Sequence, residues 1–233
     1  MDPLDDPVGS ALDGAHRRFA QRAGRVRAYD RALSPFAALP ADAAADDWVD
    51  LARLLGPGGV GTLVAATAPT PEGWVELRRV DGVQMVAPGA VARPARGDAG
   101  SDALEFVPLG GDDAEEMLEL VTRTEPGPFA LRTVEFGGYL GVRDGGRLVA
   151  MAGERMNPEG AVEVSAVCTD TAYRGRGLAG RLVVAVAAGI RARGAMPFLH
   201  VSAANLGARR LYAELGFRER RAIDFRVLRA PRG

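Results

Sequence analysis

The run Val162-Glu-Val-Ser-Ala-Val-Cys-Thr-Asp-Thr-Ala-Tyr-Arg-Gly-Arg-Gly-Leu-Ala-Gly180 decides how the rest of the chain is read. Val162, Val164, Ala166 and Cys168 alternate with Glu163, Ser165 and Val167, a mostly apolar pattern suited to a buried strand. Gly175, Gly177 and Gly180 strip side chains from the turn that follows, so backbone N–H groups can come close to a ligand. A helix opening near Leu178 would aim its free N–H groups, and the positive end of its dipole, at the same spot. Strand, turn and helix start together make a cradle for a phosphate.

Outward from this run the elements are regular. Upstream, Leu104–Leu109 reads as a strand and Asp112–Thr124 as a helix opened by acids. Glu125-Pro-Gly-Pro128 breaks that helix, and Phe129–Thr133 reads as a short helix or turn. Gly138–Arg143 and Arg147–Glu154 are strands joined by Asp144-Gly-Gly146, a hairpin signal. Downstream come a helix over Leu178–Arg193, a strand over Pro197–Val201, a helix over Asn205–Leu215 and a last strand over Arg221–Leu228. The fold class is α/β, or α+β, with a mixed sheet.

The first hundred residues are less patterned. Residues 1–14 read as a disordered acidic tail. Ala15–Ala28 reads as a solvated arginine-bearing helix, and the segment around Ser34-Pro35 and Leu39-Pro40 as a loop. Asp46–Leu55 reads as a helix with Trp48, Leu51 and Leu55 on one face. Strands are expected at Gly61–Ala65, at Trp74–Arg78 and at Val83–Val86. Residues 88–102 are rich in Pro, Gly and Ala and read as a linker. This divides the chain into a smaller α/β domain over 15–100 and a second over 101–233.

Composition bounds the function. The chain has 233 residues and a net charge of −1, which gives no electrostatic case for nucleic acid. No apolar run reaches the ~18 residues of a membrane span. A single cysteine excludes an intrachain disulfide and a cysteine-based zinc cage, and no metal is expected. A cytoplasmic monomer or homodimer is the simplest expectation. All 29 basic residues are arginine, which fits a G+C-rich genome.

Two phosphate cradles can be set aside. Gly175-Arg-Gly-Leu-Ala-Gly180 matches G-x-G-x-x-G, but no acid follows about 20 residues on, where His200-Val-Ser-Ala-Ala-Asn205 stands. The preceding strands also read as an antiparallel meander rather than a βαβ unit. No Gly-Lys-Ser/Thr follows, which excludes a P-loop.

A third reading fits. Arg174-Gly-Arg-Gly177-Leu-Ala179 matches R/Q-x-x-G-x-G/A. Downstream stands Asn205-x-x-Ala208-x-x-Leu211-Tyr212-x-x-x-Gly216-Phe217. Together, over residues 103–229, they resemble the GNAT superfamily of acyl-CoA N-acyltransferases. The resemblance implies a GNAT-like, mostly antiparallel mixed sheet with flanking helices. It implies transfer of an acetyl group from acetyl-CoA to a primary amine by direct attack in a ternary complex. A non-catalytic acyl-CoA sensor on the same fold is the alternative.

The resemblance also implies roles. Backbone groups of Arg174, Gly175, Arg176, Gly177, Leu178, Ala179 and Gly180 would bind the pyrophosphate of coenzyme A. The pantetheine arm would run along Ala166, Val167, Cys168 and Thr169, where this strand parts from Pro197–Val201. An N–H near Val167 would polarise the thioester carbonyl. Asn205 would bond the pantetheine. Tyr212, two helical turns on, would be the general acid for the leaving thiolate.

For the general base, Glu163 and Glu154 stand out as carboxylates in otherwise apolar or small runs, costly unless used or paired. His200 is a third candidate, and a nucleophilic Cys168 is disfavoured. The acceptor is expected to be a small amine or amino acid, or a protein N-terminus. The first hundred residues are expected to shape its site, as a degenerate copy of the same fold or as a small cap.

Overall fold

The computed structural model describes residues 2–92 and 104–232. Asp6 caps the first helix, α1 (Pro7–Asp13), by accepting the Gly9 N–H at 2.9 Å. Leu4, Val8 and Leu12 recur every four residues and pack with Tyr29, Phe36, Phe198 and Ile223. The tail expected over 1–14 is therefore corrected: within it lies a docked helix, held by one apolar stripe.

The helix expected over 15–28 is also corrected. Arg17–Phe19 is a single 3-10 turn. β1 (Ala20–Ala23) and β2 (Val26–Tyr29) then form a hairpin, turned by Gly24 at φ +50°. Period-two burial decides it. Val26 and Ala28 join the Trp48 and Leu51 core, while Tyr29 joins that of α1. The arginines find carboxylates: Arg22 and Arg27 bind Asp13, and Arg25 binds Asp47.

β3 (Phe36–Ala38) lies where a loop was expected, because its three residues are all buried. α2 (Ala45–Leu55) and β4 (Val60–Val64) follow. The two strands expected at 74–78 and 83–86 are one, β5 (Val75–Val86). The later elements keep the expected order: β6 (Glu105–Pro108), α3 (Ala114–Thr124), a 3-10 segment (Leu131–Phe136), β7 (Leu140–Asp144), β8 (Arg147–Glu154), β9 (Ala161–Thr169), α4 (Leu178–Ala192), β10 (Met196–Ser202), α5 (Leu206–Glu214) and β11 (Arg218–Arg229). The fold is a mixed α/β sandwich with a large, mostly antiparallel GNAT-like sheet flanked by helices. The linker expected over 88–102 falls largely outside the described residues.

The strands form one sheet in the order β1-β2-β3-β4-β11-β5-β10-β9-β8-β7-β6. The order is nearly symmetric about the β11/β5 pair. On each side an antiparallel pair leads to a parallel crossover through a helix: β3-α2-β4 on one, β9-α4-β10 on the other. The closing strands are exchanged. β5 pairs with β10 of the later part, and β11 pairs with β4 of the earlier one. The parts 15–100 and 101–233 are thus not two separate sheets.

Candidate active site

β9 and β10 pair in parallel at Met196↔Ala161, Pro197↔Val162 and Phe198↔Glu163, and no further. β10 continues on its other edge against β5, to Ser202↔Gly82. β9 bends away. Against β8 its register runs from Gly153↔Ser165 to Met151↔Cys168, three steps facing two. The extra residue is a bulge, with Ala166 at φ +53°. The fork opens into a cavity of about 550 Å³.

Most of the expected cofactor residues line this cavity. Ala166, Val167, Cys168 and Thr169 form one wall, Arg174, Gly175, Gly177, Leu178, Ala179 and Gly180 one end, and Asn205 with Tyr212 the side given by α5. Arg176 does not. It turns over the Tyr173 ring at 4.8 Å and reaches the Ala172 carbonyl. An adjacent aromatic face holds its guanidinium, which bears on the charge that the side chain would add and not on its backbone N–H.

The chemistry suits an anionic, amide-bearing ligand. Gly175 and Gly177 take φ +81° and +74°, conformations that a side chain would strain. A Cβ on Gly175 would meet nothing within 4 Å, so the turn faces open space. α4 has no acid in its first turn. The Thr169 hydroxyl is buried without a partner. These are unspent donors at the anion end and along β9.

Tyr212 is buried, and its hydroxyl has no hydrogen-bond partner among the described residues. Burial pushes the phenol up to about 12, so it keeps its proton at neutral pH. Asn205 caps α5 by accepting the Ala208 N–H at 3.1 Å while also lining the cavity. Burial pushes the Cys168 thiol up to about 11, the environment of an inert cysteine.

Neither proposed base lines the cavity. Glu163 is fully buried. It accepts from Arg155 Nε and Nη2 at 2.9 and 2.6 Å, from His200 Nδ1 at 2.8 Å and from the Met156 N–H at 3.3 Å. Burial alone would raise its pKa, but Arg155 and then His200 hold the carboxyl well below the usual carboxylate range. Glu154 pairs with Arg193 of the segment ending α4, at 2.5 Å. The sequence flagged these as carboxylates needing a use or a partner, and each has a partner.

The Glu163 pair belongs to a longer network. His200 borders the cavity, and its Nε2 lies 3.1 Å from Gln84 Nε2. That amide nitrogen also donates to the Leu4 carbonyl, while Gln84 Oε1 accepts from Arg220. The amide orientation makes His200 Nε2 an acceptor and Nδ1 the donor to Glu163, an assignment from the network. Arg155 and the loop Thr124–Phe129 also line the cavity. Sequence reasoning missed both as site elements. Arg155 carried a signal, as the neighbour of Glu154, but the loop had only its Pro-Gly-Pro.

Forked parallel strands with an open helix start at the mouth define an acyltransferase that takes an acyl-CoA-like donor. A model of the FR47-like protein family matches residues 139–226. A GNAT-family acetyltransferase from Novosphingobium aromaticivorans, so assigned by family, is 44% identical over 98% of each chain, with a TM-score of 0.84. A GCN5-related N-acetyltransferase from Kribbella flavida is 20% identical and covers 100% of this chain and 98% of its own, at TM-score 0.65. A Drosophila protein of 18% identity covers 89% and 74%, at 0.63. The last two show the fold alone. No curated protein matches the chain. The chain belongs to the GNAT family and is a GNAT-type acyltransferase acting on an acceptor of small-molecule or peptide type. Among the described residues, no group of His, Cys, Asp and Glu could hold a metal ion, and no helix is long and apolar enough to cross a membrane.

Proposed function

We propose that the protein transfers an acetyl group from acetyl-CoA to a primary amine, with direct attack in a ternary complex. The observation that carries this reading is the fork at Phe198↔Glu163, with the glycine turn at one end of its cavity and Tyr212 on its side. Acetyl-CoA supplies an activated acyl carbon and a thiolate leaving group. N–H groups of Arg174–Gly180 hold the pyrophosphate, with Arg174 adding charge. Ala166–Thr169 and Asn205 hold the pantetheine amides, and the Val167 N–H polarises the acyl carbonyl. Tyr212 gives its proton to the departing sulfur, and the proton lost by the acylated nitrogen passes to solvent, from which the phenol is restored. Glu163 orients Arg155 and His200 instead of meeting the amine, and Glu154 steadies the α4 end through Arg193. The acceptor is a small amine or amino acid, or a peptide N-terminus.

The test is release of free thiol from acetyl-CoA across a panel of amines. Tight acetyl-CoA binding with no thiol release on any amine would restore the sensor reading. Tyr212→Phe is expected to lower kcat by roughly 100-fold with cofactor affinity unchanged, as for loss of a general acid. An unchanged kcat removes that role.

A further inference from the structure

Arg155 and Tyr139 hold hydrogen-bonding capacity that nothing among the described residues uses. Arg155 follows β8 and enters the cavity wall with Ser165 and His200. Its guanidinium is pinned on two sides. Nε and Nη2 donate to Glu163, and the group stacks over Phe36, 4.8 Å from the ring centroid. Nη1 has no partner among the described residues, and 11% of the side chain is exposed. With Glu163 on one edge and Phe36 beneath, its spare N–H groups are left for the cavity. Tyr139 packs edge-on to Phe129, another wall residue, with centroids 5.9 Å apart. Its ring lies so close to Gly153 that a Cβ there would collide with it. Its hydroxyl is buried and has no partner among the described residues. Gly153, beneath the Tyr139 ring, lies two residues before Arg155, and the Arg155 N–H still pairs with the Glu163 carbonyl of β9, so the Tyr139 ring and the Arg155 side chain stand on the same face of the sheet. Buried donors without partners are costly, so such groups mark where a ligand atom belongs.

The face of the sheet says which ligand. Val162, Val164 and Tyr212 share the core of α4, on the side of the glycine turn. Arg155 stands on the opposite face, against Phe36 of the earlier part. An amine must reach the acyl carbon from the side that the donor leaves free.

We infer that Arg155 and Tyr139 form the recognition point for the acceptor, an amine carrying a hydrogen-bond-accepting oxygen, carboxylate or amide carbonyl, close to its nitrogen. This rests on the amine-acylating reading above. Glu163 already balances the Arg155 charge, so selection works through directed hydrogen bonds.

The test uses the full chain with acetyl-CoA and follows free thiol for glycine, glycinamide and ethylamine, compared per unprotonated amine. One or both oxygen-bearing amines should exceed ethylamine in kcat/KM by roughly 10- to 100-fold, the worth of a charge-assisted hydrogen bond. Glycine against glycinamide separates carboxylate from amide. Arg155→Lys and Tyr139→Phe should shrink the preference toward unity. Tyr139→Phe removes only an unpartnered hydroxyl, so its Tm should hold or rise. Equal rates on all three amines, or a preference kept in both variants, overturns the inference alone. No turnover on any amine overturns it together with the acetyl-transfer reading.

Discussion

The two parallel crossovers of the sheet have one topology and opposite chemistry. In β9-α4-β10 the strands part after Phe198↔Glu163, with a buried ion pair at the fork and a glycine turn before the helix. In β3-α2-β4 the last pair is Ala37↔Leu63, both buried and apolar. There the helix opens from Ala44 with Asp46 and Asp47 in its first turn. Asp47 accepts the Ala44 N–H at 2.8 Å, so the helix satisfies its own start and presents negative charge where α4 presents free donors. A second cavity, about 600 Å³, lies beside this pair, and Asp5, Asp6, Asp42 and Arg221 are its charged lining. The topology is repeated, and the two helix starts differ in charge: free donors at α4, carboxylates at α2.

Three substitutions break or sharpen this contrast. The largest effect is expected at the polar fork. Glu163→Gln leaves Arg155 buried without its counter-charge and should cost about 3–5 kcal/mol, lowering Tm by roughly 10 °C. Its pH signature has a definite sign. The folded carboxyl titrates below its unfolded value of about 4.3, so its contribution is full above that pH and is lost as pH falls. Wild-type Tm should drop more steeply than that of Glu163→Gln between about pH 5 and 3. Parallel curves would show that the pair contributes nothing.

Next is Gly177→Asp, which gives α4 the acidic start of α2. It forces a side chain onto φ +74° and sets a carboxylate at the anion site. Calorimetry should show acetyl-CoA affinity lowered by roughly 100-fold, the sum of strain and repulsion. Retained affinity would mean that the donor is not held at the turn. The smallest effect is expected from Asp47→Ala. Loss of the cap should cost about 1 kcal/mol, seen as a Tm fall of about 2–4 °C, with acetyl-CoA affinity unchanged. A change in affinity would show that the acidic crossover takes part in donor binding.

What the sequence revealed follows the range of the forces involved. The glycine turn, the helix from Asn205 and the strand over 162–169 were legible because each rests on neighbours within a few residues. Glu163 was visible as an anomaly, but its partners Arg155 and His200 lie 8 and 37 positions away. A carboxylate awaiting a partner and one awaiting a proton look alike in one dimension. The stretch 15–28 misled for a similar reason. Its arginines seemed scattered until Asp13 and Asp47 were brought to them. β3 has only three residues between prolines and is a strand because β2 and β4 flank it. The exchange of β5 and β11 had no local signal at all.

That exchange bears on how the chain reaches its native state. β11 follows every other strand of this sheet in chain order, yet it lies between β4 and β5 at the middle of the sheet. The strands β4 and β5 are therefore joined through a piece that stands more than 130 positions further along the chain. Long-range pairings of this kind close slowly, since the loop entropy is spent before the contacts form.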